Sequence, residues 1–159
     1  MGIHSLLGFG LGVPDVAAGR KFYETFGLVG RAAGDHVALR CEGRAHDEVI
    51  LREGRRKHLH HLRFGATKNG LDRIRARASQ LGAEEVAAPS RATDDADGAW
   101  FTDDDDHLVH VQVANAPAAP SGPPAPAVNV SGHYDRIGAR GCPADARVQP
   151  LRLGHVLLF

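Results

Sequence analysis

The sequence lacks an excess of charge of either sign: 19 Lys and Arg balance 19 Asp and Glu over 159 residues. Aromatic residues are sparse, at 6%, and nowhere interleave with a basic stripe, so the electrostatic footprint of a nucleic-acid binder is missing. Long apolar runs are missing too. No stretch approaches the roughly 18 uninterrupted apolar residues that a membrane-spanning helix needs. Residues 1–12 (MGIHSLLGFGLG) show no basic segment followed by a sustained apolar one, as a secretion signal would. A soluble, cytoplasmic protein is expected, with neither nucleic acid nor membrane as partner. Cysteine is confined to Cys41 and Cys142, which fit no Cys-x-x-Cys pattern. In that compartment two free thiols are expected rather than a bridge.

The chain has enough length for one ordinary hydrophobic core, or for a domain of about 115 residues with a tail. Residues 5–13 (SLLGFGLGV) form a glycine-interrupted apolar run that reads as a strand, ending in Pro14-Asp15, a turn with a helix N-cap. Val16, Phe22, Tyr23 and Phe26 then fall largely on one helical face, and Gly27 sits where a terminating glycine belongs. Short strands are predicted around His36–Cys41 and Glu48–Arg52. The order then recurs: a strand at His60–Ala66, a cap at Asn69, and a helix marked by Leu71, Ile74, Ala78 and Leu81 and closed by Gly82. Glu84–Ala88, Ala99–Thr102 and Leu108–Ala114 follow as strands. In the last of these Leu108, His110 and Gln112 face one way and Val109, Val111 and Val113 the other. From Ala114 the composition turns to proline, alanine and small polar residues, which favour extended linker conformations over 115–128. Residues 129–150 show no strong periodicity, and Leu153–Phe159 reads as a new apolar strand.

Three segments share a strand-opening frame: LLGFGLGV (6–13), LHHLRFGA (59–66) and RLGHVLLF (152–159), with Phe9, His61 and His155 at equivalent places. The run GAWFTDDDDHLVHVQVA (98–114) closes the second unit. This pattern resembles the vicinal-oxygen-chelate superfamily, and within it the amino-terminal domain of two-domain extradiol ring-cleaving dioxygenases. That family closes on a Gly-x-Trp-Phe strand, an Asp-Pro-Asp-Gly turn and a His-Leu-Val-Glu strand. The resemblance implies an α+β fold of two tandem βαβββ modules, 1–54 and 55–114, forming a cupped mixed sheet with helices outside. It further implies a Pro/Ala-rich linker over 115–150 and, at 151–159, the first strand of a truncated carboxy-terminal metal-binding domain.

For the complete enzyme the resemblance implies Fe(II), a small aromatic diol and dioxygen. Of the iron ligands only His155 maps onto this chain. The remaining ligands, and the histidine and tyrosine that move protons in such sites, would lie beyond Phe159. Two imidazoles and a carboxylate on one face of iron leave positions open for a chelating diol and for dioxygen. One imidazole does neither job, so the isolated chain is expected neither to hold iron tightly nor to cleave rings.

Inside the first domain the ligand-equivalent positions are Phe9, His61 and His110, and two readings of the histidines stay open. They are metal ligands, as in a glyoxalase-type isomerase formed by pairing of two chains, or half-buried polar residues filling an idle cup. A non-enzymatic binding module of the bleomycin-resistance kind is a further alternative, with Phe9 and Trp100 as stacking surfaces. In the run His58–His61, strict alternation puts His58 and His60 on one face and His61 on the other, which is no compact chelate. Asp103–Asp106 reads as a solvated turn, lacking the spaced ligands of a calcium loop. Asp106 stands where the family has glycine. Gly8-x-Gly10-x-Gly12 lies within a strand and so is no phosphate cradle. The apolar residues of 153–159, left uncovered, would favour strand exchange and a homo-oligomer, or disorder after about Ala116.

Overall fold

The computed structural model describes residues 2–89, 98–116, 131–132 and 150–156. Most of the predicted linker 115–150, and Cys142 with it, lies outside the described residues. The elements are β1 (Ile3–Val13), α1 (Val16–Thr25), β2 (Val29–Ala33), β3 (His36–Arg40), β4 (Val49–Glu53), β5 (His58–Ala66), α2 (Lys68–Gln80), β6 (Gly98–Thr102) and β7 (Leu108–Val113). They build one seven-stranded sheet in the order β2-β3-β4-β1-β5-β7-β6. The β1/β4 and β5/β7 pairs are parallel. The others are antiparallel, including the central β1/β5 pair that joins the two halves. This is the predicted α+β mixed sheet. Among the described residues no helix is long and apolar enough to cross a membrane.

Two apolar clusters hold the helices to the sheet. Val13, Leu28, Leu39, Val49 and Leu51 form the first, with Phe9, Leu11, Val16 and Tyr23 packed on it. Ala66, Leu71, Ala99 and Val111 form the second, with Phe64, Ile74, Val109 and Val113 around it. The alternation predicted for β7 is observed: its valines meet α2, and His110 turns away. Phe9 and Leu62 are register partners, so both helices cover the same face of the sheet.

Local readings needed adjustment where one hydrogen bond outweighed the pattern. Asp15 does cap α1, its carboxylate accepting the Ala18 N–H at 2.8 Å. The α2 cap, however, is Thr67, whose hydroxyl accepts the Gly70 N–H at 3.1 Å, and Asn69 is already inside the helix. On α1, Tyr23 packs inward, whereas Phe22, about 100° further back around the helix, is 63% exposed. Phe26 is 59% exposed, and Leu81 at the end of α2 is also exposed. The strand β2 went unread because it is an edge with a largely exposed, non-alternating sequence, VGRAA. The strand predicted at Glu84–Ala88 shrinks to a single bridge between Val86 and Trp100. Residues 150–156 run without strand pairing, and residues 157–159, the rest of the strand predicted over Leu153–Phe159, lie outside the described residues.

The acidic turn explains itself. Asp103 accepts the backbone N–H groups of Asp105 at 3.0 Å and His107 at 2.8 Å, which closes the loop between β6 and β7. Asp106 has φ +62, the left-handed conformation that glycine adopts at no steric cost. Asp106→Gly should therefore raise stability by about 0.5–1 kcal/mol, read as a shift in the denaturation midpoint at unchanged slope.

Candidate site on the helix-free face of the sheet

Directly paired strand residues share a face, so the register sorts the side chains. With Phe9, Leu11 and Val13 turned to α1, β1 presents Gly8, Gly10 and Gly12 to the other face. Around them stand Arg52 opposite Gly12, His61 opposite Gly10 and Arg63 opposite Gly8. His110 follows opposite Arg63 and Trp100 opposite His110. Although polar, His61 and His110 are only 1% exposed, and Arg52 and Arg63 only 4%.

Missing side chains make room for this polar layer. A Cβ on Gly10 would lie 2.5 Å from the His61 ring, and one on Gly98 would lie 2.5 Å from His110 Nε2. Each imidazole thus lies against backbone. His110 stacks flat on Trp100, with centroids 4.3 Å apart and planes 2° from parallel. His61 leans on the other side of this cluster, 5.3 Å from Trp100.

The predicted alternation of the HLHH run fails here. The β1/β5 register shifts between Gly10↔His61 and Leu11↔Leu59, leaving His60 as the extra residue of a bulge. The bulge brings His60 Nδ1 within 2.9 Å of His61 Nδ1, one ring nitrogen donating and the other accepting. Phe9 needs the opposite correction: it does not share the face of His61, so it neither occupies the equivalent ligand position nor offers a stacking surface beside Trp100.

Charge on this face argues for neutral histidines. Desolvation, followed by the nearby His60, Arg63, His110 and Arg52, pushes His61 down to about 3. Desolvation, Arg52 and His58 likewise lower His60. His61 Nε2 is buried with no hydrogen-bond partner among the described residues. The carboxylates at the rim are committed elsewhere. Asp35 takes Arg52 at 3.1 Å, and Asp47 takes Arg31 at 2.7 Å and Arg40 at 3.0 Å. Glu48 accepts the Cys41 N–H at 2.8 Å and the Arg44 guanidinium at 3.3 Å. Burial raises the Glu48 carboxyl, and burial together with Glu48 pushes the Cys41 thiol up to about 11. Cys41 is thus a buried free thiol held mostly in its protonated, weakly nucleophilic form at neutral pH.

Phe9, His61 and His110 do not converge as one set of three ligands, because Phe9 lies on the opposite face of the sheet. The first points into the α1 core, the second uses Nδ1 on His60, and the third is stacked on Trp100 and lies beside Gly98. Arg52 and Arg63 add cationic charge close to His61, and among the described residues no three His, Cys, Asp or Glu side chains group as ligands. His155 is exposed. The sequence reading missed Arg52, Arg63 and His60. For the two arginines a signal was there: each stands inside an apolar strand, in VILRE and HLRFG, where a charge facing solvent on an edge would be the ordinary case.

No family model matches the chain. Metapyrocatechase 2 of Cupriavidus necator is 32% identical over 165 residues, an alignment that covers 99% of this chain and 48% of that protein. The chain spans about half the length of this curated relative. Among solved structures, the 2,3-dioxygenase LapB from Pseudomonas sp. KL28 superposes with a TM-score of 0.64 at 20% identity, covering 76% of this chain and 45% of LapB. The Mn(II)-bound glyoxalase from Novosphingobium aromaticivorans gives 0.62 at 21% identity, covering 74% of this chain and 41% of that one. At such identities the two structures speak for the fold.

Proposed function

From the premise that this chain belongs to the vicinal-oxygen-chelate superfamily and is extradiol dioxygenase-like, we propose that it is the non-catalytic amino-terminal half of a ring-cleaving dioxygenase. The complete enzyme would act in the cytoplasm on a catechol-type aromatic diol with dioxygen at an Fe(II) centre. In this reading residues 1–114 form the domain, with modules 1–54 and 55–114. Residues 115–150 link it to a metal-binding half that opens at 151–159, with His155 as its first iron ligand. The observation that carries the reading is the divergence of the ligand-equivalent positions: Phe9 faces the α1 core, while on the other face His61 is buried at a tilt against Trp100 and His110 is buried flat on it, beside Arg52 and Arg63. That layer supports a glyoxalase-type site no better, since the carboxylates at its rim among the described residues, Asp35, Asp47 and Glu48, are paired with arginines.

The test is oxygen uptake by the 159-residue chain with catechol or a bicyclic diol, after anaerobic loading with Fe(II). The expected result is no uptake above that of free Fe(II), and no retained stoichiometric metal after desalting. Turnover that disappears in His61→Ala would overturn the proposal.

A further inference from the structure

On the helix-covered face, a cavity of about 450 Å³ opens between α1 and the end of β1, within the roughly 300–1,000 Å³ usual for small-molecule sites. Its lining is predominantly apolar. The buried Val13 and Leu51 line it together with Leu11, while Phe22 and Tyr23, packed edge to face at 5.1 Å, supply aromatic surface from α1. Lys57 and His58 line it as well. They belong to a basic turn, Arg55-Arg56-Lys57, that connects β4 to β5 and is exposed throughout. Among the described residues these three side chains make no hydrogen bond or ion pair. Arg55 lines an adjoining depression that shares Pro14 with the cavity. Two acids face the same region: Asp15, whose carboxylate is engaged by the Ala18 N–H, and the exposed Glu53.

We propose that this cavity binds an aromatic carboxylate, its ring between the α1 aromatics and the Leu11, Val13 and Leu51 surface and its anionic group on Lys57 and Arg55. An exposed Phe22 beside an apolar floor favours a planar apolar body, and Lys57 on the lining with Arg55 in the adjoining depression, neither paired among the described residues, favours a negative head over a neutral one. The site does not depend on the proposed half-enzyme role.

2-Naphthoate is the probe, titrated into the full 159-residue chain and followed by ligand-observed NMR. Saturable binding is expected with Kd on the order of 0.1–1 mM. The neutral 2-naphthalenemethanol should bind at least about fivefold more weakly, and Arg55→Glu/Lys57→Glu should weaken naphthoate at least about tenfold. Ala18→Phe, a change at an exposed helix position lining the cavity, should abolish binding without lowering the melting temperature. No saturation at millimolar probe, or binding that survives both sets of substitutions, overturns the proposal. So does a dimer in sedimentation velocity that Phe22→Glu dissolves while naphthoate fails to bind, since the face would then belong to a second copy.

Discussion

Acidification from pH 6.5 to about 3 should remove on the order of 4 kcal/mol from the stability of the folded chain through His61 alone. His61→Gln should remove most of that sensitivity. In the unfolded chain the imidazole titrates near its ordinary value of 6.5, whereas in the sheet it is held down to about 3. Above pH 6.5 it is neutral in both states and contributes no pH dependence. Below 6.5 the unfolded chain takes up a proton that the folded one refuses, so stability falls with falling pH until the folded pKa is reached. The slope approaches about 1.4 kcal/mol per pH unit.

That loss is large against the roughly 5–15 kcal/mol of a typical domain, so acid unfolding should begin well above pH 3. His60 and His46 are shifted in the same direction and add to the slope. Glu48, raised by burial, opposes it, because its folded form keeps a proton longer. The comparison between wild type and His61→Gln isolates the one group from all of these. Urea denaturation at pH 7, 6, 5 and 4 would give diverging lines for the two proteins. Parallel lines would mean that His61 is protonated in the folded state and that the layer is wetter than its 1% exposure shows.

The sequence revealed this site unevenly, for identifiable reasons. The inward face of β7 was legible because strict alternation is a local property: Val109, Val111 and Val113 had to meet something apolar, leaving His110 opposite. The face of His60 was not, because a bulge depends on how β5 pairs with β1, and nothing in LHHLRFGA marks the extra residue. Phe9 was misplaced for the same reason. Equivalence along a repeated frame does not fix which way a side chain points, and a one-residue offset between two strands reverses it. The order strand, helix, strands was readable from caps and glycine stops. The edge strand β2 was not, since an exposed edge needs no apolar pattern. Arg52 and Arg63 became intelligible only once the sheet placed the Asp35 carboxylate beside the first and the Asp47 backbone carbonyl beside the second.

The three glycines of β1 are the part of this layer that single substitutions test most directly, and Gly10→Ala should cost about 2–3 kcal/mol. Its new Cβ would sit 2.5 Å from a ring that cannot retreat: His61 is bonded to His60 at 2.9 Å and backed by Trp100. The clash disappears if the ring does. In a His61→Ala background the same substitution should be neutral or mildly stabilising, because alanine restricts the unfolded chain more than glycine does. The four proteins form a thermodynamic cycle, and its coupling energy should be close to the whole cost of the single change. Gly12→Ala is the control. Its Cβ would also meet an imidazole, that of His58, but His58 is exposed and can swing out with the loss of one hydrogen bond to Arg56. It should cost less than about 1 kcal/mol. Equal costs for Gly10→Ala in both backgrounds would show that the glycine serves the backbone of β1 rather than the imidazole lying on it.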